Sequence, residues 1–180
     1  NGQRKINREQ LVRFRLKGNQ IVDFETNHSL RDLIGQHFPF LEESNKKFDD
    51  DVSINIEGLS FDANKEALLI GIRSPLVGKK AVIVTLKNPD ALFGKYPKQA
   101  VQDLVISDQL IHLDLKGGGI RAITYDSFLG GYLIASRKAD KDFKLWLWSG
   151  KSKSKPQRVK VPDLKDLRHL EGISSVNLPN

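Results

Sequence analysis

The chain has 180 residues, 39% of them apolar, no cysteine and a formal charge of +7. That length and apolar content suit one folded domain with a sizeable core and exclude a disordered chain, and the missing cysteines exclude disulfides, thiolate nucleophiles and cysteine-ligated zinc. No apolar run approaches the roughly 20 residues of a membrane helix, and the basic balance favours anionic partners.

The chain opens Asn1-Gly2-Gln3 and contains no methionine. It therefore reads as a trimmed piece of a longer protein, with any signal region upstream and the compartment open. Leu11-Val-Arg-Phe-Arg-Leu16 and Gln20-Ile-Val-Asp-Phe24 predict a hairpin around Lys17-Gly-Asn19. Ser29-Leu-Arg-Asp32 predicts a helix start with a capping pair. Leu30, Leu33, Ile34 and His37 follow at helical spacing, and the helix is expected to end before Pro39. The acidic residues Glu42, Glu43 and Asp49 to Asp51 read as a solvated loop, with calcium as the sharper alternative.

A repeat follows. Asn55-Ile-Glu-Gly-Leu-Ser-Phe-Asp62 aligns with Gly119-Ile-Arg-Ala-Ile-Thr-Tyr-Asp126, an offset of 64 residues. Without a gap, Leu69-Ile-Gly-Ile-Arg73 then meets Leu133-Ile-Ala-Ser-Arg137, and Ala81-Val-Ile-Val84 meets Leu145-Trp-Leu-Trp148. The opening recurs at Leu170-Glu-Gly-Ile-Ser174, 50 residues after the second copy. The longer first interval is assigned to an insertion between Asn88 and Gln109, which carries Asn88-Pro89, Phe93-Gly94 and Tyr96-Pro97.

Each unit reads as four strands. Turns near Asn64 and after Asp126 join the first pair, where both aspartates are expected to bond nearby backbone. The third strands are Ala81 to Leu86 and Phe143 to Trp148. The fourth are Leu110 to Leu115 and Gln157 to Val161. Leu145 to Trp148 is apolar on both faces, so it needs cover on both. A β-propeller blade, packed between two neighbours, supplies that cover. The expected fold is thus all-β: a β-propeller or part of one, with one or two short helices in insertions. It forms a single domain over 1–180. Complete blades span about 53–115 and 119–161, and partial blades 9–26 and 169–178. Asp163 to Leu167 is expected to add a helical turn.

Asn55-Ile-Glu-Gly-Leu, Leu68-Leu-Ile-Gly-Ile-Arg73, Leu113-Asp-Leu-Lys-Gly-Gly-Gly-Ile-Arg121 and Leu170-Glu-Gly-Ile together resemble the bacterial family of unknown function numbered 3616. The likeness covers roughly Ser53 to Val176. It implies a propeller and no established activity. The Glu-Gly opening is also similar to that of lactonase-type and phytase-like propellers. In the lactonase-type group a glutamate at that point of a blade binds a divalent metal near the axis. That resemblance makes Glu57 and Glu171 metal candidates, for a cation such as calcium, whereas Arg121 occupies the position in the second copy.

If the first strands line a propeller axis, Glu57, Arg121 and Glu171 face one mouth and Arg73 and Arg137 flank it. Three readings follow. The residues form a salt-bridge ring between blades, or an anion site on the arginines, or a metal site on the glutamates. The best functional reading is a module binding a small molecule or protein at this mouth. The alternatives are a metal-assisted phosphoesterase or lactonase-type hydrolase, and a polyanion-binding module using Lys151-Ser-Lys-Ser-Lys-Pro-Gln-Arg158. No aromatic residue interleaves that stretch, which disfavours nucleic acid as partner. Whether the chain is an enzyme stays open. His28, His37, His112 and His169 have no zinc-ligand spacing. His169 lies two residues before Glu171, on the same face of a strand, and is the one general-base candidate. Gly117-Gly-Gly119 lets the chain turn tightly into the next strand; with no helix and no Lys-Ser/Thr after it, it is not a P-loop.

Overall fold

A computed structural model describes residues 9–43, 54–62, 64–93, 105–138, 141–162, 170–174 and 176. Among these residues the fold is mostly antiparallel β-sheet with two short α-helices, and neither main sheet closes on itself.

Strands β1 (Leu11–Lys17) and β2 (Gln20–Asn27) form the expected hairpin as a separate two-stranded sheet. Arg13 joins it to the rest of the fold, pairing with Glu25 and Asp90 and stacking on Phe93. Helix α1 (Leu30–His37) starts where the sequence places it, but Ser29 does not cap it. The Ser29 hydroxyl and backbone N–H instead donate to Asn27 Oδ1, at 3.1 and 2.9 Å. Pro39 does not simply end the helical region. It opens a second helix, α2 (Pro39–Glu43), as proline can at a first helical position, where its missing N–H costs nothing. Glu42 of α2 binds Arg31 of α1 at 3.0 Å and belongs to this clamp rather than to a solvated loop.

The first main sheet runs β3 (Asn55–Asp62), β4 (Ala67–Val77) and β5 (Lys80–Lys87). Two short pieces share the far edge of β5: β6 (Val105–Ile106) and β7 (Ile111–Leu113). The second sheet runs β8 (Gly119–Asp126), β9 (Gly131–Arg137), β10 (Lys144–Trp148) and β11 (Gln157–Val159). From Ile56↔Ile72 to Asp62↔Ala67 the pairing of β3 with β4 recurs 64 residues on in β8 with β9: Gly58↔Gly71 becomes Ala122↔Ala135, and Ser60↔Leu69 becomes Thr124↔Leu133. Both ladders also carry a bulge at the same place, at Glu57 and at Arg121.

The third strands depart from that offset. Ile70 pairs with Val84, but Ile134 pairs with Trp146, so the matching residues are 62 apart. The ungapped alignment of Ala81 to Val84 with Leu145 to Trp148 is therefore displaced by two positions. Its cause is the connection: nine residues lie between the paired Ile72 and Val82, but only seven between the equivalent Ser136 and Lys144.

Two hydrophobic clusters hold the layers. One lies between α1, α2 and the first sheet, through Ile34, Leu41, Ile70, Ile72, Val82 and Val84. The other lies between the sheets: Leu69, Ile83 and Leu113 meet Ile120, Ile134, Trp146 and Trp148. The order is helices, first sheet, second sheet. The sheets approach closely because the facing positions Gly58 and Gly71 lack side chains. A Cβ added at Gly71 would lie 2.6 Å from Ile120 Cγ2, and one at Gly58 2.8 Å from it. Gly119 needs the same economy, since its Cβ would fall 1.9 Å from the Arg73 carbonyl oxygen. Trp146 Nε1 donates to the Ser136 hydroxyl at 2.8 Å, so the buried indole leaves no polar group unpaired.

Residues 170–174 carry no strand, and the helical turn expected at Asp163 to Leu167 lies outside the described residues. So do Asp49 to Asp51. Among the described residues no helix is long and apolar enough to cross a membrane.

Candidate functional site

The bulge at Glu57 turns its carboxylate out of the ladder toward its neighbours. Arg73, on the adjacent strand β4, donates to Glu57 Oε1 at 2.8 Å. Arg121, in the matching bulge of β8, donates to Glu57 Oε2 at 3.0 Å and Oε1 at 3.4 Å. One carboxylate thus joins two arginines, one from its own sheet and one from the other. The three side chains are only 24, 33 and 16% exposed for Glu57, Arg73 and Arg121. Partial burial strengthens the pairing and makes the loss of either partner costly.

The other expected mouth residues do not join them. Arg137 turns to the Lys141 carbonyl at 2.8 Å and stacks over Phe143. Glu171 is exposed and makes no ion pair among the described residues. His169 lies outside the described residues. The triad fits the salt-bridge reading best. A cation at Glu57 would compete with two guanidinium groups already satisfying both oxygens. Among the described residues no three His, Cys, Asp or Glu side chains converge as a metal site.

At the opposite end of β3, about 16 Å away at strand rise, the two sheets part around an open cleft of about 550 Å³. Asp62, Asn64 and Lys65 of the β3–β4 turn line one wall, with Thr85 and Lys87 of β5. Tyr125, Tyr132, Ser149, Lys151 and Ser152 line the other. Ser107 and Gln109, from the insertion, border it as well.

The floor is built on the buried carboxylate of Asp62. Asp62 Oδ1 accepts the Asn64 N–H at 3.1 Å, and its Oδ2 accepts Lys65 Nζ at 2.7 Å. The Tyr132 hydroxyl faces the same carboxylate. Burial alone would push the Asp62 carboxyl up; the hydrogen bond and charge of Lys65, with the Tyr132 hydroxyl, outweigh it and hold the group below its ordinary range. Burial first, then the Asp62 charge, pushes the Tyr132 hydroxyl up. Lys65 also reaches the Gly150 carbonyl at 3.4 Å, bridging the sheets. Asp62 thus does the expected turn work and more. Asp126, its counterpart, accepts the Leu129 N–H at 2.8 Å.

Three lysines, 65, 87 and 151, line the cleft against one carboxylate, which Lys65 already engages. The remainder is positive and rich in hydroxyl and amide groups. The basic loop at its rim is built rather than loose. Trp148 Nε1 donates to the Lys151 carbonyl at 3.1 Å, the Ser154 hydroxyl to the same oxygen at 2.8 Å, and the Ser149 and Ser154 hydroxyls bond at 2.7 Å.

Sequence reasoning named the Lys151 to Arg158 stretch but missed the cleft. The usable signal was that Asp62 and Asp126 sit at equivalent turns, which packed sheets bring to one end. These features define an antiparallel β protein with a charged clasp at one end and a polar, basic cleft at the other. Comparison with family models, with curated proteins and with solved structures finds no match to this chain.

Proposed function

We propose that the chain is a binding module of the propeller type, its two main sheets standing as neighbouring blades, and that it holds a small or chain-like anionic ligand in the cleft between them. The observation that carries this reading is the cleft's composition, with Lys87 and Lys151 facing a space edged by Tyr125, Thr85, Ser107 and Gln109. Ammonium groups suit phosphate, sulfate or carboxylate as point charges. Hydroxyl and amide groups supply the directional bonds that fix orientation. The loop from Lys151 to Arg158 leads anions to the opening through its positive field. The resemblance to the bacterial family numbered 3616 rests on the motifs alone and points the same way, toward a propeller without an assigned reaction. In this reading Glu57, Arg73 and Arg121 form the clasp that keeps the two blades in register.

The test is calorimetric binding of inorganic polyphosphate, of a sulfated oligosaccharide and of an uncharged oligosaccharide at two salt concentrations. Binding of a charged probe is expected to weaken as salt rises and to fall at least about tenfold in Lys87→Glu/Lys151→Glu, as roughly 1.4 kcal/mol of lost attraction gives. The uncharged sugar is expected to bind more weakly. Equal binding by the variant, or no binding of either charged probe, overturns the reading.

A further inference from the structure

The two sheets are stacked head to tail. The side of the second sheet that meets the first carries Ile120, Ile123, Ile134 and Trp146. Their counterparts in the first sheet, Ile56, Leu59, Ile70 and Val84, are on its helix-facing side or pair with residues there. The receiving surface of the first sheet is built on Gly58 and Gly71, which admit Ile120. Its counterpart in the second sheet is built on Ala122 and Ala135, flanked by Thr124, Leu133 and Leu145. This second receiving surface faces away from the first sheet. Yet Ala122 is only 5% exposed and Ala135 only 1%, while the leucines beside them are half-buried.

We infer that this outward face is the seat of Leu170–Ser174, which lies on it as Ile120–Thr124 lies on the first sheet. Three observations converge. First, Leu170 and Ile173 are the counterparts of Ile120 and Ile123, the two residues that reach across the first interface. Second, these two are the half-buried members of the segment, whereas Glu171, Gly172 and Ser174 are exposed. Third, the charges are complementary. In the first interface Glu57 receives Arg121. In the second, Arg121 stands in the place of Glu57 and Glu171 in the place of Arg121, so the equivalent positions again carry opposite charges, with Glu171 exposed rather than ion-paired. Arg121 also keeps a buried Nε with no hydrogen-bond partner. The occupant is thus a segment of the same chain that extends the layered stack by one more layer. It does so without needing a regular strand, because the contact is made by two apolar side chains.

The chain has no cysteine, so introduced thiols report without interference. The pair Ala135→Cys/Leu170→Cys is expected to close into a disulfide under mild oxidation. Ala135→Cys/Val176→Cys is expected to stay open. Failure of the first pair to close, or equal closure of both, overturns the inference. A second measurement covers the case in which the paired variant does not fold. In the wild-type background, Leu170→Ser/Ile173→Ser is expected to raise binding of an apolar fluorescent dye at least twofold, with far-ultraviolet circular dichroism unchanged. Unchanged dye binding in that variant overturns the inference as well. Neither readout depends on the ligand proposed for the cleft.

Discussion

Glycine at 71 is set by a neighbour 49 positions away in the chain, not by its own backbone. An added methyl would meet Ile120 at 2.6 Å, closer than a carbon contact tolerates. Gly71→Ala is therefore expected to cost about 1–3 kcal/mol through overpacking. Ile120→Ala alone is expected to cost about 2–5 kcal/mol through the cavity it leaves. The double variant should cost less than the sum, since the new methyl occupies part of the new cavity; chemical denaturation of the four proteins checks this cycle. Simple addition of the two losses would mean that the contact is not what fixes the glycine. Glu57 makes a similar point electrostatically. Glu57→Gln leaves two partly buried arginines facing each other without their shared anion. It is expected to lower stability by about 1–3 kcal/mol, a figure reduced from that of a fully buried pair because all three groups keep some water. The partner of Gly71 was not legible in the sequence, whereas the salt-bridge ring expected there already grouped Glu57 with Arg73 and Arg121. What the repeat could not give was the membership: Arg137 turns to Lys141 and Phe143 instead, and Glu171 stays exposed, because a periodic alignment treats every copy as equivalent.

At the scale of the element, most of the strand pattern was legible and one register was not. The bulges, turns and apolar faces of β3–β4 and β8–β9 recur because each sheet repeats the same inward and outward alternation. The third strand slips by two residues, and a slip of two returns every side chain to its original face. The hydrophobic pattern is therefore blind to it, and only the length of the connection reveals it. The cap of α1 was misread for a related reason. A serine three residues before an acid is a local signal, but Asn27 at the end of β2 offers a competing acceptor. The β3–β4 and β8–β9 turns, brought together at one end, set a pH dependence. The Asp62 carboxyl is held low in the folded state. Its contribution is thus present above the ordinary carboxylate range, near about pH 4, and is lost as pH falls through the folded value. The Tyr132 hydroxyl is pushed up, so its contribution is present below about pH 10 and lost as pH rises beyond it. Thermal melts across pH are expected to show both shoulders. Asp62→Asn should flatten the acid one and Tyr132→Phe the alkaline one. An acid shoulder unchanged by Asp62→Asn would place its origin elsewhere.

For the whole molecule, the decisive property is that successive layers present unlike faces. The helix-facing side of the first sheet has the same make-up as the side of the second sheet that enters the interface. Helices α1 and α2 therefore occupy the place where another sheet's receiving face would fit. Contacts between unlike faces do not close by themselves and propagate as open chains unless the rotation brings them round. The helices stop this by burying Ile34 and Leu41, both fully inaccessible, against Ile70, Ile72, Val82 and Val84. Ile34→Asp/Leu41→Asp places two charges in that contact, where each would stay unpaired, so the helices are expected to detach. The uncovered apolar face then exceeds what a monomer ordinarily presents to water, and when Leu170→Ser/Ile173→Ser is added to loosen the segment seated on the opposite face, a matching partner is bared at the far side of another copy. Light scattering is expected to show mass growing with concentration beyond a dimer, while circular dichroism keeps its β signal. Growth should be suppressed when Leu145→Asp is added, because that charge lies on the receiving side. A folded variant that stays monomeric would remove the head-to-tail account of the layers, and growth indifferent to Leu145→Asp would mean that the exposed face associates without regard to the partner's surface.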